Sequence, residues 1–362
     1  MYAHALVIGK FYPPHAGHHA LIRHAAGVAG RVTVVAMAAS VESIPIDNRV
    51  SWLAQAHRHD TTVTVTGVVC DAPIDMGSQP VWAAQVAAMR AGIAQVTTDP
   101  VDVVVSSESY GGQLAQWFDA AHVTFDPERT AWPVSGRACR ADLVGHWPLL
   151  EPGTRAGLTT RVVVLGSEST GTTTVSSALA QHYRERGGVW AQTRWVPEHG
   201  RQVTIDKLTR AQAVNADATM HDLTWEGPDF AQIAHAQQVA EDTAAAEGSP
   251  LLVCDTDAFA TTVWERRYLG PASRWARDRL VASPSVYLVT DHVGVRFVQD
   301  GIRDGEHIRA AMTGWFTDAL TRSARPWVLL TGSVQERLEL AIRVTDMALD
   351  RRATFADPLE MR

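Results

Sequence analysis

Short apolar runs alternate with longer stretches of helical periodicity along almost the whole chain. Ala5-Leu6-Val7-Ile8 forms a first strand pattern that ends on Gly9, and from His18 onward Leu21, Ile22, Ala25 and Ala26 fall on one helical face. Val32-Thr33-Val34-Val35-Ala36 is the next apolar run, followed by a helical pattern over 49–57. A strand over 62–69, a helix over 81–91 and a strand over 101–105 complete the series. This alternation predicts a parallel sheet with helices on both faces. Ligands of such sheets bind beyond the carboxyl ends of the strands, where the loops gather.

The alternation breaks at Glu151-Pro152-Gly153-Thr154-Arg155-Ala156-Gly157-Leu158, a polar stretch punctuated by Pro and Gly. It restarts with Arg161-Val162-Val163-Val164-Leu165-Gly166, and later apolar runs lie at 251–254, 285–289 and 327–330. The expected fold class is therefore α/β, with two doubly wound parallel-sheet domains. Their bounds are 1–150 and 161–350, separated by a linker at 151–160 and followed by a polar tail, 351–362, expected to fray. The restart repeats an architecture, not a sequence.

Composition narrows this picture. The chain has 362 residues, enough for two cores, and its 46% hydrophobic and 20% charged content is that of a globular protein. A net charge of −7 argues against general nucleic-acid binding, which favours a basic face. Cys70, Cys139 and Cys254 are scattered and offer neither metal spacing nor a disulfide framework. No basic segment followed by a long apolar stretch opens the chain, and no run is long enough to span a bilayer. A cytoplasmic setting without membrane partners is expected, and homo-oligomerisation stays open.

Candidate chemistry lies first in Gly9-Lys10-Phe11-Tyr12-Pro13-Pro14-His15-Ala16-Gly17-His18, a loop that runs from a strand into a helix. A helix N-terminus presents free backbone N–H groups to an anion, and two imidazoles beside it add donors for phosphate. The prolines stiffen the approach, and the glycines let phosphate come close to the backbone.

This string resembles the nucleotidyltransferase superfamily that includes nicotinamide-mononucleotide and phosphopantetheine adenylyltransferases. The superfamily carries a late S-x-T-x-x-R-like motif, matched here by Ser135, Gly136 and Arg140, with Arg137 where threonine is usual. The resemblance implies binding of ATP, with Mg²⁺, and in-line attack of an acceptor phosphate on the α-phosphate. Lys10, His15, His18 and Arg140 would be the catalytic donors, and Gly9, Phe11, Tyr12, Pro13, Gly17, Ser135, Gly136 and Arg137 the surrounding ATP-binding residues. Segments containing Arg49, Trp52, Ser107, Glu108, Tyr110 and Asp126 resemble acceptor-binding stretches of the NadR-type adenylyltransferases. Trp52 is equally suited to a place in the core.

Gly166-Ser167-Glu168-Ser169-Thr170-Gly171-Thr172-Thr173, followed by Thr174, has the frame of a P-loop between a strand and a helix. Its N–H groups would cradle phosphate and Thr173 would ligate Mg²⁺. The usual lysine is replaced by Thr172. Lys10 and Lys207 are the only lysines in the chain, and Arg296, Arg303 or Arg309 are candidates for the missing charge. Leu251-Leu252-Val253-Cys254-Asp255-Thr256-Asp257 is an apolar strand ending in carboxylates, as expected for a metal-binding aspartate.

With Trp195-Val196-Pro197-Glu198-His199-Gly200-Arg201, these segments resemble the kinase half of the NadR-type bifunctional family, over roughly residues 1 to 345 of this chain. That resemblance implies phosphorylation of nicotinamide riboside, then conversion of nicotinamide mononucleotide to NAD, with Rossmann-like and P-loop kinase-like domains. Glu198, Asp255 or Asp257 would be the base near the attacking hydroxyl. Trp225 and Asp229 would help enclose the riboside. Some members begin with a helix-turn-helix domain; this chain begins on the first strand, so a repressor role is not expected. Two rival readings stay in view: a kinase-inactive nucleotide-sensing P-loop domain, and an adenylyltransferase for another mononucleotide.

Overall fold

A computed structural model describes residues 1–73, 75, 77–276 and 284–359. The chain divides into two compact units, Met1–Gly157 with Ala353–Arg362, and Leu158–Arg352.

The first unit runs β1 (Tyr2–Gly9), α1 (Ala16–Val28), β2 (Ala29–Ala38), α2 (Ile46–Ala56), β3 (Val63–Val69), α3 (Gln79–Ala94), β4 (Val103–Ser106), α4 (Gly111–Phe118), β5 (Ala121–Thr124), α5 (Gly136–Ala141) and α6 (Pro152–Leu158). Its strands form one parallel sheet in the order β3-β2-β1-β4-β5. Both faces are covered. Ala5 and Val7 pack with Leu21, Ile22 and Leu53 of α1 and α2. Leu6 and Val104 point the other way, into Trp82, Val86 and Met89 of α3 and Leu114 of α4. Burial on both faces explains why these strands read as continuous apolar runs.

The second unit runs β6 (Thr160–Gly166), α7 (Thr172–Arg184), β7 (Arg194–Val196), α8 (His199–Val214), α9 (Gly227–Glu247), β8 (Leu251–Asp255), α10 (Ala258–Leu269), β9 (Val286–Thr290), α11 (Arg309–Arg322), β10 (Trp327–Leu330) and α12 (Val334–Ala353). Its parallel sheet has the order β10-β9-β6-β8-β7, with β6 in the centre. One core joins Val162, Val164, Leu251, Val253 and Leu288 to Val175, Leu179 and Tyr183 of α7 and Ala341 of α12. Two parallel-sheet α/β domains are present.

Two segments differ from the sequence expectation. The polar stretch at 151–160 holds helix α6, which starts on Pro152, a residue tolerated in a first turn because its missing N–H has no partner there. Thr154 is fully buried in it, and Leu158 nearly so. The tail does not fray at Asp350. Helix α12 continues to Ala353, and Phe355 then meets the Tyr12 ring edge-on at 5.9 Å. Ala356 donates its N–H to Ser43 Oγ at 2.7 Å and accepts from Tyr12 Oη at 3.0 Å.

Candidate active sites

In the first unit, β1 delivers the chain into the loop at 10–15, and α1 begins beyond it. His15 is the N-cap of α1: its side chain accepts the His18 amide, and its ring stacks on His18 with centroids 3.6 Å apart. Phe11, buried, closes against His18 edge-on at 4.8 Å. Burial lowers the His15 pKa to about 3, helped by the charges of Arg129 and His146. Burial also lowers that of His18, with His15 next in effect. Both imidazoles are therefore neutral near pH 7. Because His15 Nδ1 accepts the amide, its proton sits on Nε2, and that atom is buried without a protein partner. A buried donor with no partner beside a helix N-terminus fits a phosphate oxygen.

The Ser135 motif lies against the same loop. Ser135 caps α5 by accepting the Ala138 N–H at 3.1 Å. A Cβ on Gly136 would meet the Tyr12 carbonyl oxygen at 3.0 Å, so the close approach needs glycine. Arg140 donates to that carbonyl at 2.6 Å and lies 4.7 Å over the Tyr12 ring. Arg137 is exposed on α5. Gly9, Pro13 and Gly17 take their places in the strand end, the buried loop and the first turn of α1.

Lys10 is not alone. Its Nζ lies 2.7 Å from Glu42 Oε1, and Arg49 reaches the other oxygen of that buried carboxylate at 2.6 Å. Sequence reasoning missed Glu42, whose carboxylate is flanked in the chain by no motif.

The expected acceptor residues are less united. Arg49 is fully buried and donates to the Ile44 and Lys10 carbonyls, so it braces the loop from beneath and offers no donor to a ligand. Trp52 is buried, and its ring fills the space where Gly157 would carry a side chain. It is a core residue. Asp126 turns its carboxylate onto the N–H groups of Thr130, Ala131 and Trp132, which holds its own loop. Glu108 pairs with Arg129 at 2.9 Å on the surface, beside half-buried Ser107. Tyr110 is half-buried, with its ring edge-on to Trp82 at 6.3 Å.

In the second unit, the P-loop joins β6 to α7, and Gly171 takes φ +89°, a left-handed conformation that favours glycine. Thr170 closes the loop by donating to the Ser167 carbonyl at 2.7 Å. Thr173 Oγ1 lies 2.5 Å from Asp255 Oδ2 at the tip of β8. A cavity of about 600 Å³ opens over Gly166, Ser167, Ser169 and Thr172 to Thr174, with Glu198, Asp255 and Arg303 in its walls. Burial, and then the nearby Asp255 charge, raise the Glu198 pKa to about 7. Glu198 is thus half-protonated near neutrality. Burial raises that of Asp255, against the hydroxyls of Thr173 and Thr172.

Two expected residues stand outside this cavity. Asp257 is the N-cap of α10, accepting the Ala260 N–H at 2.8 Å and the Tyr287 hydroxyl at 2.7 Å. Both carboxylate oxygens are engaged in the core, so it is a cap and not a base. Asp229 closes a capping box on Glu226 at the start of α9 and pairs with Lys207 at 2.7 Å. Trp225 does line the cavity, with Phe230, Trp264 and Tyr268 completing an aromatic wall. Trp225 lies 5.3 Å from Tyr268 and 5.5 Å from Phe230, and its Nε1 is buried without a partner.

Of the candidate cations, Arg303 lines the cavity, whereas Arg309 donates to the Val295 and Ser169 carbonyls and braces the P-loop. Glu168 lines the cavity with its carboxylate engaged by protein: Oε2 accepts the Gly305 and Asp304 amides, and Oε1 meets Arg267 at 3.2 Å. Arg267, Trp264 and Tyr268 share helix α10, whose pattern alone gave no sign of the site. Arg201 also lines the cavity, one turn beyond Glu198.

The residues 161–337 match a family model described as an AAA domain. Two curated relatives, trifunctional NAD biosynthesis/regulator proteins NadR, align over 280 residues, 73% of this chain. That of Salmonella typhimurium (strain LT2) is 23% identical and that of Escherichia coli (strain K12) 22%. The chain is a homologue of NadR. It covers 63% of the length of each of these two NadR proteins. Two solved NadR structures share the fold over both domains. One, in complex with NR, has a TM-score of 0.65 at 18% identity over 100% of this chain and 99% of its own. The other, in complex with NAD and AMP-PNP, has a TM-score of 0.66 at 18% identity over 97% of each chain.

Proposed function

We propose that the second domain phosphorylates nicotinamide riboside with ATP and that the first joins nicotinamide mononucleotide to ATP, giving NAD and pyrophosphate. The observation that carries this reading is the cavity of the second domain. It sets a P-loop, an aspartate at a strand tip, a carboxyl group with pKa about 7 and an aromatic wall around one space. The ligands of the two NadR structures, NR in one and NAD with AMP-PNP in the other, support the same pairing of substrates.

In the second domain the P-loop amides hold the triphosphate. Trp225, Phe230, Trp264 and Tyr268 suit a flat cationic pyridinium ring, which π-faces attract. Glu198 accepts the proton of the 5′-hydroxyl as that oxygen bonds to the γ-phosphorus and ADP leaves. The Thr173 hydroxyl and the Asp255 carboxylate are hard oxygen ligands that fit Mg²⁺, which binds through few protein groups and substrate phosphates. When bound, Mg²⁺ would neutralise phosphate charge.

In the first domain a mononucleotide phosphate attacks the α-phosphorus of ATP and pyrophosphate leaves. The chain's part is positioning and charge stabilisation. His15 Nε2–H, His18, Lys10 and Arg140 supply the donors, at the amino end of α1.

Purified protein with ATP, Mg²⁺ and nicotinamide riboside should release ADP and form the mononucleotide, then pyrophosphate and NAD. Absence of ADP at every ATP concentration would overturn the kinase half. One observation favours the sensor alternative, the threonine at 172; binding of nucleotide without turnover would be its signature. A panel of other mononucleotides, scored by pyrophosphate release, tests the acceptor. No helix of the described residues is long and apolar enough to cross a membrane.

A further inference from the structure

Thr172 stands where a P-loop places its lysine, and its hydroxyl turns with that of Thr173 towards Asp255. The loop itself therefore brings no cation to the phosphates. Arginines packed around it are already engaged with protein. Arg337 donates to the Thr170, Asp291 and Gly332 carbonyls, and Arg309 to those of Val295 and Ser169. Arg267, 6% exposed, is paired with Glu168 and Asp304. Each braces the loop from its protein side.

Two other arginines line the cavity among the described residues, Arg201 from the first turn of α8 and Arg303 from the loop before α11. One carboxylate gathers them. Arg201 Nη2 lies 2.7 Å from Asp300 Oδ2, and Arg303 Nε lies 3.5 Å from the same oxygen. Arg303 Nη1 also donates to the Val298 carbonyl at 2.7 Å. The side chains remain 41% and 27% exposed, which leaves each guanidinium with donors for a ligand in the cavity. A planar guanidinium carries five donors, and a shared carboxylate occupies few of them.

We propose that Arg201 and Arg303, gathered by Asp300, bind the transferred phosphoryl group in the second domain in place of the P-loop lysine. The inference rests on the kinase reading above and adds to it a catalytic residue, Arg201, and a positioning residue, Asp300. As the 5′-oxygen bonds to the γ-phosphorus and the bond to the ADP oxygen breaks, negative charge spreads over the equatorial oxygens. Two forked cations approaching from separate elements stabilise that charge where a single ammonium would otherwise stand. The hydroxyl proton goes to Glu198.

Release of ADP reports the second domain alone, because adenylyl transfer releases pyrophosphate. With ATP and nicotinamide riboside, Arg201→Ala and Arg303→Ala should each lower kcat by roughly 10²- to 10³-fold, the range for loss of one transition-state donor. Arg201→Lys should lose less, and adding Thr172→Lys to Arg201→Ala should recover turnover. An unchanged thermal-unfolding profile, with unchanged pyrophosphate release from nicotinamide mononucleotide, certifies that both domains of the variants are folded. The pair is also read without turnover, by titrating AMP-PNP and AMP in a His18→Ala background that weakens the first site. The parent should prefer AMP-PNP, and Arg201→Ala should lose that preference. A parent that makes no ADP but loses the preference on Arg201→Ala overturns the kinase reading and keeps the pair. An Arg201→Ala variant with the parent's preference, or with wild-type kcat, overturns the pair.

Discussion

His15 accepts the His18 amide on its Nδ1 at 3.4 Å while the two rings stack with centroids 3.6 Å apart. One hydrogen bond thus sets the tautomer and leaves Nε2–H buried without a protein partner. Replacing either histidine by alanine should cut pyrophosphate release by roughly two to three decades, the usual loss for one preorganised donor. ADP release should be unchanged. Steady-state assays of the two products check both halves of this expectation.

The same burial has a pH consequence. His15 and His19 have folded pKa values of about 3, below the 6.5 of the unfolded chain, so the unfolded state binds more protons between those limits. Stability from these groups is present above pH 6.5 and is lost as pH falls towards 3. Denaturant titrations of the protein between pH 7 and pH 4 should show this decline, and His19→Asn should make it shallower. Adenylyl transfer should show no histidine step near pH 6.5.

Glu42 holds Lys10 and Arg49 together, with Glu42 and Arg49 side chains fully buried. Glu42→Gln leaves the Arg49 charge unpaired in the core. Breaking a buried pair from one side costs roughly 3–5 kcal/mol. Urea unfolding should show a loss of that order in the transition of the unit that holds Glu42, with a higher KM for ATP in adenylyl transfer.

Asp257 caps α10, whereas Glu198 lines the cavity and is the proposed base. With a pKa of about 7, Glu198 accepts a proton when ionised, so kcat/KM for the riboside should rise with pH through about 7. Glu198→Gln should remove that rising limb and most of the rate. Asp257→Asn weakens the cap of α10, a loss of roughly 0.5–2 kcal/mol in stability, while the pH profile keeps its shape.

Much of this was legible in the chain because both sheets are buried on two faces. β1, β6 and β8 have unbroken apolar cores, and the loops after β1 and β6 carry their glycines in recognisable order. β5, an edge strand with no buried residue, lacks such a run and escaped notice. Helix α6 was hidden by its Pro and Gly, and the docking of Phe355 and Ala356 depends on contacts more than 300 residues apart in sequence. Among candidate site residues, His15, His18 and Thr173, at or just inside the starts of α1 and α7, stood out through their spacing. Glu42 and the α10 aromatics were missed as site members because tertiary packing alone brings them to their sites, and Arg201, although inside the Glu198 segment, was given no role there. Arg49, Trp52, Asp126 and Asp229 carried the right chemistry in the sequence, but buried ion pairing, packing or local capping occupies them.

The most direct measurement follows all products of one reaction, starting from nicotinamide riboside, ATP and Mg²⁺. The account predicts ADP and the mononucleotide first, then pyrophosphate and NAD, with the mononucleotide accumulating when His18 is replaced by alanine. A wild-type reaction that forms no mononucleotide from the riboside, or no NAD from added mononucleotide, would contradict it.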